Sequence, residues 1–144
     1  MKYTMHDVVI VGAGPVGSYT AYLLAGRGLD VGIVEKNPAI GKNINCTGII
    51  SSECLKKFQF NEDVILKPIS SIKAFSPSGM FLRYQADIPF AYTIERKLFD
   101  TEINRMAVNE GATLYLNTKA KETEITGETF ILRAETDGRD NEIR

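Results

Sequence analysis

Asp7-Val8-Val9-Ile10-Val11-Gly12-Ala13-Gly14-Pro15-Val16-Gly17, followed further on by Val31-Gly32-Ile33-Val34-Glu35, decides how this 144-residue chain reads. Val8 to Val11 is a short β-branched run, the pattern of a strand buried on both faces. Gly12, Gly14 and Gly17 follow at G-x-G-x-x-G spacing. Pro15 stands where a helix would begin, and its fixed φ and missing N–H suit a first helical turn. That helix is expected to run to about Arg27, with Gly28 as its stop. Val31 to Val34 supplies a second strand, and strand, helix and strand make a right-handed βαβ unit.

Each glycine has a mechanical task in such a unit. Gly12 makes the tight turn, Gly14 lets a pyrophosphate approach the backbone, and Gly17 lets helix and strand pack closely. Phosphates would then rest on the helix N-terminus, where N–H groups and the macrodipole favour negative charge. Glu35, 23 residues after Gly12, can accept hydrogen bonds from ribose hydroxyls and would repel the 2′-phosphate of NADP. The alternative is a glycine-rich turn with no ligand. The strand before, the helix after and the acid beyond favour a dinucleotide.

Composition narrows the classes. The chain is 44% hydrophobic and 24% charged, as a globular protein is. Seventeen Lys+Arg against eighteen Asp+Glu give a net charge of -1, so no basic surface advertises nucleic acid. His6 is the sole histidine, which speaks against a Ser-His-Asp or multi-histidine metal site. Cys46 and Cys54 are too few for a disulfide framework or a four-cysteine zinc site; no metal is expected, and a reduced, cytoplasmic setting is. Val8 to Gly26 is nineteen residues without a charge, near membrane-spanning length, but its four glycines and Pro15 split it into two apolar pieces. It reads as strand, turn and helix.

Further along, a βαβ dinucleotide unit over 6–36 gives way to an inserted loop and hairpin region over 37–94. Within it, Ser51 to Phe60 reads as a short helix capped by Ser51 or Ser52. Ile69 to Phe75 and Met80 to Tyr84 flank Ser76-Pro77-Ser78-Gly79, a hairpin signal, and Ala91 to Ile94 reads as a strand. A helix and third parallel strand are expected over 95–117, with Phe99, Ile103, Met106 and Ala107 on one helix face and Gly111 as the stop. A partial β-meander over 118–144 completes the expectation. A chain stopping just after a new strand begins looks truncated, and on its own is expected to hold its ligand weakly. About sixty residues separate Glu35 from the next long helix, whereas a nicotinamide dehydrogenase continues promptly with more βα units. That favours FAD over NAD.

Asp7 to Lys36, Asn45-Cys46-Thr47-Gly48, Phe75-Ser76-Pro77-Ser78-Gly79 and Glu95-Arg96-Lys97-Leu98-Phe99-Asp100 together resemble the geranylgeranyl reductase family, flavoproteins of the p-hydroxybenzoate hydroxylase-like group. The likeness covers essentially all of this chain but only the first part of a family member. It implies an α/β fold, a Rossmann-like FAD-binding domain of the p-hydroxybenzoate hydroxylase-like type, incomplete, with the start of a β-rich substrate layer. The implied activity is FAD-dependent reduction of C=C bonds in the geranylgeranyl chains of isoprenoid membrane lipids. Its partners would be the lipid substrate and an electron donor, NAD(P)H or a reduced carrier protein, with peripheral contact at the membrane. By the same resemblance, Gly12, Gly14, Pro15, Val16, Gly17 and Glu35 hold FAD, Cys46, Thr47 and Gly48 lie beside the flavin, Arg96 lies near its phosphates, and Ala120 meets the adenine end through its backbone.

Blander readings stand beside these. Arg96 at a helix start is disfavoured by the dipole, which an anionic ligand would relieve; it could equally be an ordinary surface arginine. Cys46 is either a catalytic residue, a polarisable thiol shaping the flavin's surroundings, or a small buried filler. Cys54 reads as core, and Phe58, Phe60, Tyr84 and Tyr92 line a lipid channel or simply fill the core. An aromatic-ring monooxygenase of the same fold, or a non-catalytic incomplete scaffold, are the competing functions.

Overall fold

The computed structural model describes residues 5–58 and 60–144. In chain order these form β1 (Val8–Val11), α1 (Pro15–Ala25), β2 (Val31–Val34), β3 (Ile49–Ser51), α2 (Ser52–Lys57), a 3-10 turn (Glu62–Val64), β4 (Ile65–Ile69), β5 (Ser71–Phe75), β6 (Phe81–Gln85), β7 (Ala91–Ile94), α3 (Arg96–Asn109), β8 (Thr113–Tyr115), β9 (Thr118–Thr126), β10 (Thr129–Thr136) and β11 (Arg139–Ile143). They group into two units: the chain up to Asn43 with Asp100–Arg144, and Ile44–Phe99.

The first unit is organised around β2, whose four residues are all buried. It lies between β1 and β8 and runs parallel to both, with Val8 opposite Val31 and Val34 opposite Tyr115. Strand alternation sends Val31 and Ile33 to one face, where they pack with Ala13, Ala21 and Ala25 from the turn and α1 and with Ala107 and Ala112 from α3 and the segment after it. Small alanines on the helices allow that close approach. Val34 faces the other way and packs with Leu132 and Ile143 of an antiparallel β9–β10–β11 meander, joined by half-buried Val9, Tyr115 and Ala120. The sheet therefore has helices on one face and strands on the other. Burying each Ile or Leu there contributes roughly 1.5–3 kcal/mol.

On the meander face, Gly32 leaves a gap that His6 fills. The His6 ring would lie 2.7 Å from any Cβ built on Gly32. Its Nδ1 donates to Asp30 Oδ1 at 2.8 Å, and its Nε2 lies 2.8 Å from the Tyr115 hydroxyl. The solitary histidine is thus a packing residue of the sheet.

Helix α1 ends at Ala25, two residues earlier than the spacing predicts, because a tight turn takes over. Gly28 N–H donates to Ala25 O (2.8 Å) and Leu29 N–H to Leu24 O (3.3 Å). Gly28 sits at φ +85°, the left-handed residue that such a turn requires. It stops the helix as expected, from outside the helix. The same pair of bonds, Gly111 to Val108 and Ala112 to Ala107, closes α3.

In the second unit β7 is central, antiparallel to β3 on one side and β4 on the other. Strands β3 and β4 fall in the stretch read from sequence as loop and helix. That expectation is corrected here: both strands pair with β7, some forty and some twenty-five residues further along, and Pro68 inside β4 masks its strand character. The expected helix over 51–60 shrinks to Ser52–Lys57, with Ser51 as the cap: its side chain accepts from Cys54 N–H at 3.1 Å. Phe60 packs on Phe58 and Phe99, with ring centroids 5.2 and 4.8 Å away. Cys54 is half-buried, not core. Strands β5 and β6 form the expected hairpin, with all ten residues exposed.

Candidate dinucleotide site

The glycine-rich turn joins β1 to α1, and its three glycines are there for three different reasons. Gly12 has φ +103°, a conformation side chains rarely adopt, and its N–H donates to Val34 O at 2.8 Å. Gly17 has no room: a Cβ there would lie 2.1 Å from Gly12 O and 3.2 Å from Ile10 Cγ2. Gly14 is different. Its φ of -70° suits any residue, and a Cβ would meet nothing within 4 Å. Neither its φ nor a neighbouring atom demands glycine there, so the turn is open on the side where Gly14 lies. The residues present fit a pyrophosphate lying on the turn, with the exposed Gly14 and Val16 marking the open side.

Glu35, at the end of β2, holds the turn from beside it. Its Oε2 accepts from Ala13 N–H at 3.1 Å, and its Oε1 accepts from Asn37 N–H at 2.9 Å and Asn37 Nδ2 at 2.7 Å. A carboxylate offers about four acceptor positions, so one on Oε2 is left for a ribose hydroxyl. Asn37 was not singled out from sequence, and a polar residue two positions after the strand-end acid is its only sequence signal. Removing the carboxylate leaves the buried Ala13 N–H without its acceptor. Glu35→Ala should therefore lower folding stability by roughly 1.5–3 kcal/mol even without ligand, read as a shifted urea midpoint at unchanged slope.

Beside Glu35, a cavity of about 510 Å³ is lined by Lys36, Asn37, Asn117, Lys119, Glu135 and Asp137 among others. Strand β9 starts here, with Thr118 N–H donating to Glu35 O at 2.8 Å. Ala120, two residues on, packs against Val34, Leu132 and Ile143 and pairs with Ala134. The turn, Glu35 and the start of β9 thus come together in the first unit.

Cys46, Thr47, Gly48 and Arg96 lie in the second unit. Gly48 is buried, with φ +67°, and its O accepts from Ile94 N–H at 2.8 Å. A Cβ on Gly48 would lie 2.8 Å from Ile94 O and 3.1 Å from Arg96 Cγ. The loop is thereby held directly against the start of α3. Arg96 is half-buried, with its guanidinium 5.9 Å from the Phe99 ring centroid. Glu95 caps α3, its carboxylate accepting from Leu98 N–H at 2.6 Å, and so places an anion beside the helix start. Cys46 and Thr47 are exposed, which removes the buried-filler reading of Cys46.

A family model described as FAD dependent oxidoreductase matches residues 7–85, more than half of the chain. The chain belongs to this family. FAD is its cofactor, the dinucleotide that the long stretch between Glu35 and the next long helix leads one to expect. Within curated sequences, the digeranylgeranylglycerophospholipid reductase of Methanosarcina mazei is 34% identical over 119 residues, covering 80% of this chain and 29% of that protein. The protein of the same name from Methanocaldococcus jannaschii is 31% identical over 142 residues, covering 97% of this chain and 36% of its own length. This chain spans about a third of the length of these relatives. A geranylgeranyl bacteriochlorophyll reductase-like structure from Thermoplasma acidophilum superposes with a TM-score of 0.88 at 23% identity, covering 99% of this chain and 38% of that one. It shows a shared fold.

Proposed function

We propose that the protein is an FAD-dependent reductase that saturates C=C bonds in the geranylgeranyl chains of isoprenoid lipids or their precursors. The similarity to digeranylgeranylglycerophospholipid reductases over four-fifths of the chain carries this reading. Gly12, Gly14, Pro15, Val16 and Gly17 bind the pyrophosphate, Glu35 the ribose, and Ala120 the adenine end through its backbone. Cys46, Thr47 and Gly48 serve the flavin half, and Arg96 the phosphates. Bound FAD supplies two-electron redox chemistry, with NAD(P)H or a reduced carrier protein as the source of electrons. The chain itself supplies orientation, an anion-receptive helix terminus and an exposed thiol at Cys46.

The lipid substrate brings the protein to a membrane surface peripherally, from the cytoplasm; no helix among the described residues is long and apolar enough to cross one. Hairpin β5–β6 supports that contact. Phe75, Met80 and Leu82 are each at least 70% exposed, and Lys73 lies directly opposite Arg83. No carboxylate occurs between Asp63 and Asp87. Like charges facing one another across a ribbon are unfavourable unless an anion joins them.

The test is anaerobic mixing of the pre-reduced protein with a geranylgeranyl lipid. Flavin reoxidation coupled to alkene saturation is expected; in a parallel aerobic assay with NAD(P)H and a phenol, oxygen-dependent NAD(P)H consumption would instead point to a monooxygenase. In the anaerobic assay Cys46→Ser should keep its FAD but slow the alkene step about tenfold, equivalent to about 1.4 kcal/mol of barrier. An unchanged rate returns Cys46 to an ordinary loop residue.

A further inference from the structure

We propose that Ser18 and Asn104 are positioning residues that set the plane of the Ala13–Gly14 peptide and so aim the Gly14 N–H at the FAD pyrophosphate. The proposal rests on the placement of that pyrophosphate over the glycine-rich turn. It concerns two residues to which the family reading assigns no role.

The observation is a buried relay. Ser18 Oγ donates to Ala13 O at 3.1 Å, and Asn104 Nδ2 donates to Ser18 Oγ at 3.1 Å. The directions follow from chemistry: a carbonyl only accepts, so the hydroxyl proton must point to Ala13, leaving the hydroxyl oxygen to accept from the amide. Ser18 is completely buried and Asn104 is 4% exposed. Asn104 shares its helix face with Phe99, Ile103 and Ala107, where an apolar residue would be buried without polar cost. Its amide is there for what it donates to.

The consequence runs through peptide planarity. In a trans peptide the carbonyl and the following N–H point in opposite directions. With the Ala13 carbonyl turned inward to Ser18, the Gly14 N–H points outward, to the exposed side of the turn. Glycine lacks the Cβ that would otherwise restrain this peptide. Flipped over, it would present a carbonyl oxygen to the phosphates and repel them. On its other side Ala13 is held by Glu35, which accepts its N–H at 3.1 Å. Together, Glu35 and the Ser18–Asn104 relay secure both peptide groups that flank Ala13.

Three substitutions in the purified protein separate this from a packing role. Ser18→Ala removes the donor to Ala13 and should raise the FAD dissociation constant about tenfold. Asn104→Asp keeps the size but presents a carboxylate, which draws the Ser18 proton away from Ala13; it should weaken FAD at least as much. Asn104→Ala leaves Ser18 still donating to Ala13, so the loss should stay within about threefold. FAD binding is read by flavin fluorescence, apo-protein Tm by calorimetry, and the bound pyrophosphate by its ³¹P resonances, which should shift in Ser18→Ala. Should Asn104→Asp fail to fold, Ser18→Ala, which trims a single oxygen, carries the test. Unchanged FAD affinity in Ser18→Ala, or affinity losses that simply follow the apo Tm across the variants, overturns the proposal. Failure of the unaltered protein to bind FAD would overturn the placement of the pyrophosphate itself, a distinct result.

Discussion

Gly17→Ala is expected to cost about 3 kcal/mol or more of folding stability and to lose FAD with it. Ala is ordinarily the better helix former by roughly 1 kcal/mol, so the expected sign runs against propensity. The reason is the 2.1 Å separation between the new Cβ and Gly12 O, a backbone atom that no side-chain rotation can move aside. Relief requires α1 to lift from β1, which breaks the packing of Ala21 and Ala25 on Val31 and Ile33. Against a total stability of about 5–15 kcal/mol, such a loss is large. Urea denaturation of the apo-protein reads it directly, and a midpoint equal to that of the unaltered protein would sink the argument.

Gly14→Val, three residues away, should spare the fold and lose only the ligand. Gly14 already has a φ open to any residue, with open space where a side chain would go, so the apo-protein should keep its stability within about 1 kcal/mol. FAD affinity should fall at least about 100-fold, near 2.7 kcal/mol, because the isopropyl group occupies the space of the pyrophosphate. The paired outcome is the informative part. One glycine guards the fold and the other guards the ligand, and purification of the Val variant with full yellow flavin content would reassign the turn.

The parts of this molecule that are local in sequence were legible. Strand β1, the turn, α1 and β2 are contiguous, and each stage carries its own signal: β-branched residues, glycines at fixed offsets, Pro15 at the helix start, an acid at the strand end. The hairpin β5–β6 announced itself through Ser76-Pro77-Ser78-Gly79. Strands β3 and β4 did not, because each is short and acquires its identity from distant β7. Within the site, Glu35 was evident, whereas its partner Asn37 and the Ser18–Asn104 relay were not. That relay joins residues 86 positions apart, and a hydrogen bond of that span leaves no periodic trace. A trace of another kind existed: Asn104 is an amide placed on the apolar face of an amphipathic helix.

The seat of His6 over Gly32 makes two positions answer to one volume. The imidazole occupies the space a side chain at 32 would need, and its bonds to Asp30 and Tyr115 keep it from swinging clear. Position 32 can therefore grow only where position 6 shrinks. The sheet's central strand and the segment leading into its first strand would then vary as a matched lock and key, with the Asp30 carboxylate and the Tyr115 hydroxyl released from their partner once the histidine is gone.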